Sequence, residues 1–158
     1  MKHRRFFSAS LVIALALTSL SFQCGGSGSQ PEPLRNAARA SDTIAKSIGE
    51  MITVKRELAK QGKLTPDEEL KLTQALLRVN TADKVLVKRL KSLKAAPDPT
   101  TKAELVKMFG EVTSALNDLN SGGLLGIRNE EARTKLTTVF NTINASVLII
   151  QTFIDSSS

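Results

Sequence analysis

The sequence contains no tryptophan or tyrosine, and only one cysteine and one histidine among its 158 residues. The histidine is His3, so the chain beyond it has no imidazole to act as a general base, to complete a nucleophilic triad or to bind a metal. A single cysteine, Cys24, cannot form an intramolecular disulfide. Without tryptophan and tyrosine, the chain also has few of the aromatic platforms on which single-stranded nucleic acids stack. We therefore expect a non-enzymatic protein with no cofactor, no metal and no nucleic-acid partner.

The first thirty residues have the composition of an export signal. Three basic residues precede an uncharged run over 6–22, and Cys24 follows with a Gly/Ser-rich linker over 25–29. The basic residues are Lys2, Arg4 and Arg5. A basic start, an apolar centre and an exit rich in small residues are the three parts of a bacterial secretory signal.

This arrangement resembles a bacterial lipoprotein precursor, in which a second signal peptidase cuts before a cysteine that becomes the lipid-carrying first residue. The resemblance implies a signal peptide over 1–23, a lipid on Cys24 and a flexible tether over 24–32. It also implies a protein of the periplasm or cell envelope that is anchored to a membrane. The chain departs from the lipoprotein pattern just before the cysteine, where Ser21, Phe22 and Gln23 replace the usual Leu, small residue and Gly, Ala or Ser.

Two other interpretations of this segment remain open. Ordinary cleavage after Ser21 would leave Cys24 as a free thiol. Alternatively, the run over 6–22 stays attached as an uncleaved anchor, since its length is at the short limit of the ~17–25 residues that a spanning helix needs. All three interpretations predict a domain outside the cytoplasm.

The remaining chain has the size of one domain. Cleavage before Cys24 leaves 135 residues, enough to bury a core without disulfides. The net charge of the whole sequence is +7. Removing Lys2, Arg4 and Arg5 leaves 19 basic and 15 acidic residues, a net charge of only +4, which does not by itself indicate nucleic acid as a partner.

Apolar residues recur at helical spacing from residue 33 to the end, and no segment of any length has the period of a strand. The pattern predicts an all-α fold, a four-helix up-down-up-down bundle over 33–155. The predicted helices span about 33–61, 66–94, 100–120 and 130–155. The last has the most regular apolar stripe, formed by Leu136, Val139, Phe140, Ile143, Val147, Ile150 and Ile154.

Several residues mark the ends of these helices. Thr65 and Glu68 form a capping-box pattern around Pro66. Asp98 or Thr101 is the candidate N-cap of the third helix, and Asn129 is the candidate for the fourth. Gly62 is expected to end the first helix, and Gly122 and Gly123 the third. Gly49, inside the first helix, is expected to permit close contact with a neighbouring helix. The acidic clusters over 67–69 and 130–131 lie in first turns, where they suit capping and the helix dipole better than a metal site.

Seven basic residues are candidates for a membrane-facing or anion-facing surface. In an up-down-up-down bundle, the start of the first helix and the ends of the second and fourth share the end at which Cys24 is tethered. The seven residues are Arg35, Arg39, Lys84, Lys88, Arg89, Lys91 and Lys94. Phe153 and Ile154 are expected to face the membrane with them. Asn80 and Asp83 lie near the inner stripe of the second helix, and Asn141 and Asn144 interrupt the fourth; a buried polar residue usually fixes helix register.

The leading functional prediction is an exported, lipid-anchored, non-enzymatic helical bundle with a structural or binding role in the cell envelope. The membrane and an envelope protein are the expected partners, and the oligomeric state is open. One alternative is a periplasmic chaperone or stress sensor, because the segment 64–68 is similar to an element of small chaperones of the Spy and CpxP kind. Another is a carrier that binds an apolar ligand in a cavity near Phe109, Phe140 and Ile143.

Overall fold

A computed structural model describes residues 31–93 and 96–157. These residues form four α-helices and no strand, which confirms the prediction of an all-helical fold. The helices are α1 (Glu32–Lys60), α2 (Pro66–Ser92), α3 (Pro99–Asp118) and α4 (Glu130–Ser156). The predicted signal peptide and most of the predicted tether, including Cys24, lie outside the described residues.

The predicted N-caps are present. The Thr65 hydroxyl accepts a hydrogen bond from the Glu68 backbone N–H, and the Glu68 carboxylate accepts one from the Thr65 N–H, which completes the capping box of α2. Asp98 accepts from the Thr101 N–H at the start of α3, and Asn129 accepts from the Ala132 N–H at the start of α4. Each cap satisfies a backbone donor that the helix itself leaves unpaired.

Gly62 ends α1 as predicted. Its φ of 69° lies in the left-handed region, which favours glycine. The Gly62 N–H donates to the Ala59 carbonyl, and the Lys63 N–H donates to the Leu58 carbonyl. This pair of bonds is a Schellman motif, which satisfies two carbonyls at the helix end.

The third α-helix ends at Asp118, close to the predicted end at about 120, but the chain does not leave the helical path at Gly122 and Gly123. After α3, the backbone continues as a π-helical turn over Leu119–Leu124. Leu119 and Leu124 are buried, and Gly123 is buried against Leu72. The apolar contacts of the two leucines therefore hold the chain in a helical turn where the two glycines alone predict an end.

One hydrophobic core runs through all four helices, from Leu34 to Ile154. The contact between α1 and α4 is the most extensive of the helix contacts, and small residues are buried on both helices. These residues are Ala40, Ser47 and Ser146. The prediction for Gly49 is wrong: it is exposed, and no neighbouring helix lies within 4 Å of the position of a Cβ there.

Ion pairs join neighbouring helices at several levels. Lys91 in the last turn of α2 lies 2.8 Å from Asp42 of α1, and Arg89 lies 2.7 Å from Glu104 of α3. At the other end of α1, Lys63 lies 2.6 Å from Glu131 in the first turn of α4. Together with Lys135, Lys63 lowers the pKa of Glu131 to about 2 by hydrogen bonding.

Candidate functional site

The structure divides the seven predicted basic residues into two groups, apart from Lys94, which lies outside the described residues. Arg89 and Lys91 are neutralised by Glu104 and Asp42, and Arg89 is half-buried. Their charges stabilise helix contacts and are not free to meet a separate anion.

The other four residues, Arg35, Arg39, Lys84 and Lys88, are exposed and form no ion pair with any described residue. The pairing of Lys91 with Asp42 brings the end of α2 beside the first part of α1, so all four lie toward the same end of the molecule. We name this the tether end, because α1 begins here at Glu32, the last residue of the predicted tether.

A cleft at the tether end joins the start of α1 to the end of α4. It has a volume of about 400 Å³, and its lining includes Glu32 and Asn36 of α1 with Ile149, Thr152 and Phe153 of α4.

The expectation that Phe153 and Ile154 face outward is wrong, because both are buried in the core. The exposed apolar residues near this end of α4 are instead Leu148 and Ile149, with 67% and 47% of their surface exposed. The sequence pattern could not distinguish the exposed Leu148 and Ile149 from the buried Phe153 and Ile154, because α4 is apolar on nearly every side near its end.

Glu68 has a second role that the capping-box pattern did not reveal. Besides its bonds to Thr65, its other carboxylate oxygen accepts a hydrogen bond of 2.9 Å from the Arg128 backbone N–H, just before α4. These hydrogen bonds lower the pKa of Glu68, with the bond from the Thr65 N–H the largest cause. Glu68 and Arg128 border a small polar notch of about 260 Å³ with Gly122 and Gly126. Because its carboxylate already has these partners, Glu68 acts as a structural link between α2 and the segment that leads into α4.

The chaperone-like segment 64–68 has the same structural explanation. Leu64 is buried in the core, and Thr65 and Glu68 form the capping box. The similarity to small periplasmic chaperones is therefore accounted for by helix capping, and the chaperone role stays a prediction.

Lys55 is a buried amine that sequence reasoning missed. It donates a hydrogen bond of 2.7 Å to the Thr73 hydroxyl and lies 3.2 Å from the Glu69 carboxylate. Its position one helical turn from buried residues on both sides, Met51 and Leu58, could have indicated it. Because both partners belong to α2, Lys55 stabilises the contact of α1 with α2.

Asp83 is fully buried, and neither of its carboxylate oxygens has a hydrogen-bond partner. Burial raises the pKa of Asp83 to about 7, the negative charge of Asp42 acts in the same direction, and Lys91 opposes them. On α1, the Ser41 hydroxyl is also buried without a partner. Asp83 is thus the one carboxyl among the described residues whose protonated form the fold clearly favours.

The residues predicted to line a ligand cavity, Phe109, Phe140 and Ile143, are all buried in the core cluster. The role as a carrier stays a prediction. Among residues 31–93 and 96–157, no group of three or more His, Cys, Asp or Glu side chains is arranged to hold a metal ion.

Helix α4 has 27 residues, and its most apolar 18-residue stretch has a mean hydropathy of 1.3. By length and composition alone it could cross a membrane, but the core helices of many soluble proteins meet the same criteria.

Comparisons with protein-family models, with curated proteins and with solved structures found no match to this chain.

Proposed function

We propose that this chain is an exported, non-enzymatic helical bundle that is anchored to a bacterial membrane by a lipid on Cys24 and has a structural or binding role in the cell envelope. The export signal and the cysteine carry the proposal from the sequence side. The partner class that this anchor requires is a lipid bilayer.

One structural observation supports it: among the described residues, a single core joins Leu34 to Ile154. The first helix begins at Glu32, eight residues after Cys24. The described residues thus form one continuous core after the predicted signal peptide, as expected of a domain that follows an export signal.

We infer that the helices have an up-down-up-down arrangement. Ion pairs join the end of α2 to the first part of α1, the end of α2 to the start of α3, and the end of α1 to the start of α4. Antiparallel neighbours account for all three pairs. In this arrangement the anchor and the ends of α2 and α4 share the tether end.

The free cations Arg35, Arg39, Lys84 and Lys88 suit a position near phosphate headgroups. A basic residue close to an anionic membrane contributes about 1 kcal/mol. For the chain from Gly25 onward, we expect the double change Lys84→Glu and Lys88→Glu to weaken binding to anionic vesicles about tenfold or more. Flotation of vesicles with and without phosphatidylglycerol measures the effect.

A matched control is available in Arg56→Glu with Lys60→Glu, since both residues are exposed, form no ion pair with a described residue and are four residues apart, as Lys84 and Lys88 are. Lys60 lies at the opposite end of α1. Equal loss in the two double variants would mean that net charge alone, rather than the tether end, governs vesicle binding.

The anchor itself is tested by feeding cells a fatty acid with a terminal alkyne and detecting the labelled protein. We expect the natural chain to carry the label and the Cys24→Ser variant to lack it. A natural chain without label would refute the lipid anchor and leave ordinary cleavage or an uncleaved anchor.

A further inference from the structure

The outward face of α4 lacks charge over an unusual length. From Leu136 to Ile154 the helix has no charged residue, whereas no uncharged run in α1, α2 or α3 is longer than six residues. The core explains only the inner half of this run. The exposed outer half is also uncharged: Thr138, Asn141, Thr142, Asn144, Ala145, Leu148, Ile149 and Thr152.

Polarity changes along this face in a definite direction. Its residues far from the tether end are threonines and asparagines, such as Thr138 and Asn141, while Leu148 and Ile149 lie close to the tether end. The exposed apolar residues of the outer surface of α4 therefore lie about one turn before exposed Thr152 and two turns before exposed Asp155 near the end of the helix. Charged residues normally cover the exposed side of a helix, so the uncharged outer side of α4, with two adjacent exposed apolar residues, suits contact with a lipid surface.

The predicted tether limits how far this face can be from the membrane. Cys24 precedes Glu32 by eight residues, which span at most roughly 28 Å when fully extended. Glu32 lines the same cleft as Ile149. A bilayer that holds a lipid on Cys24 must therefore lie within reach of Leu148 and Ile149.

The neighbouring part of α1 adds three exposed cations without an ion pair to any described residue, Arg35, Arg39 and Lys46. Two exposed acids of the same helix, Glu32 and Glu50, partly offset them. With exposed Asp155 at the end of α4 counted as well, the charge on this side is close to zero, so charge does not decide which lipid headgroups this side would meet.

We propose that the outward face of α4 around Leu148 and Ile149 rests on the surface of the lipid bilayer, so that the anchored protein lies with one side against the membrane. The proposal depends on the lipid anchor for membrane attachment. Nine residues of α4 are buried within the described fold, so the helix lies on the bilayer and does not cross it. Two apolar side chains are too few to hold the protein there alone, and the anchor supplies the remaining affinity.

The absence of tryptophan and tyrosine permits a direct test. The chain from Cys24 onward, which contains the whole described core, is coupled through the Cys24 thiol to a maleimide phospholipid in vesicles of phosphatidylcholine and phosphatidylglycerol. Single substitutions Leu148→Trp and Ile149→Trp then place one fluorophore on the face. Because the coupling is chemical, the result does not depend on whether cells lipidate Cys24.

Matched controls place the fluorophore on exposed leucines elsewhere. Leu77 on α2 is 63% exposed, and Leu125, between the π-turn and α4, is 66% exposed, close to the 67% of Leu148. We expect the tryptophan emission of the Leu148→Trp and Ile149→Trp variants to shift to shorter wavelength on coupling. Brominated lipids should quench this emission several-fold more than that of Leu77→Trp and Leu125→Trp.

Two results would overturn the proposal. One is quenching at positions 148 and 149 that equals or falls below quenching at 77 and 125 in variants whose circular dichroism matches the natural chain. The other is a shift that appears without vesicles and grows with protein concentration, which would assign this face to a second copy of the chain. If the natural chain carried no lipid label in cells but the tryptophan of Leu148→Trp were quenched on vesicles, the lipid anchor would be refuted. The contact of the α4 face with the bilayer surface would still be supported.

Discussion

Asp83 is the residue at which the fold departs most from ordinary side-chain chemistry. Its carboxyl group is buried without a partner, so the interior favours the neutral, protonated form. The other described groups that affect its charge are Asp42 on α1 and Lys91 on α2. The raised pKa means that the folded protein holds a proton that the unfolded chain releases at a lower pH.

The pH dependence of stability follows from this difference. The pKa of Asp83 is about 7 in the folded protein, against a reference value of 3.8. Its protonated form stabilises the fold fully below about pH 4, and this contribution is lost as pH rises from about 4 to about 7. We expect Asp83→Asn to remove this slope and to raise the free energy of unfolding at pH 8 by roughly 2–4 kcal/mol relative to the natural chain.

Urea denaturation followed by circular dichroism between pH 4.5 and 8.5 measures this effect. Asp118→Asn is the control, because Asp118 is exposed and pairs only with exposed Arg78. An unchanged slope in Asp83→Asn would show that Asp83 is ionised at little cost in the folded state.

Glu68 is the second residue whose contribution to the free energy of unfolding can be tested. Its two carboxylate oxygens accept hydrogen bonds from the backbone N–H groups of Thr65 and Arg128. In a glutamine, an NH₂ group would replace one of these oxygens and would face one of the two N–H groups without accepting its hydrogen bond. We expect Glu68→Gln to lower the free energy of unfolding by about 1–3 kcal/mol at pH 7. Because the pKa of Glu68 is lowered, the difference from the natural chain should shrink as the pH falls below about 4.

Thermal and urea unfolding measure the loss. Glu130→Gln, another first-turn carboxylate but exposed and without an ion pair to a described residue, should change stability by less than about 0.5 kcal/mol. A similar loss in both variants would assign the effect to the helix dipole rather than to the link with Arg128.

Among the elements, the four helices follow from the sequence because local signals and apolar periodicity agree. Thr65, Asp98 and Asn129 cap helices at the predicted positions, and Gly62 ends α1. The π-turn over Leu119–Leu124 does not follow, because it depends on contacts with Leu72, a residue distant in sequence. Local glycine preferences predict a helix end there, and tertiary packing overrides them.

The π-turn can be tested at its two adjacent glycines. A Cβ at Gly123 would lie 3.3 Å from Leu119 Cδ1 and 3.4 Å from Leu72 Cδ1, whereas a Cβ at Gly122 would have no neighbour within 4 Å. We expect Gly123→Val to lower the free energy of unfolding by about 1–3 kcal/mol through overpacking. Gly122→Val should stay within about 0.5 kcal/mol of the natural chain. Equal effects in urea unfolding would mean that the turn is not packed as described.

For the whole molecule, the sequence predicted a basic tether end, and the structure shows which charges remain available there. Arg89 and Lys91 could not be assigned from sequence, because their partners Glu104 and Asp42 lie on other helices whose register the sequence does not fix. Leu148 and Ile149 were hidden for a related reason: only the packing of α4 shows which of its many apolar residues face outward.

The proposed role requires export and anchoring through Cys24, and the intact mass of the protein extracted from membranes reports both. We expect a chain of residues 24–158 with an added diacylglyceryl group, with or without a further acyl chain on its amino terminus. A mass equal to the unmodified sequence from Met1, or to a chain that begins at Phe22 with a free thiol, would contradict it.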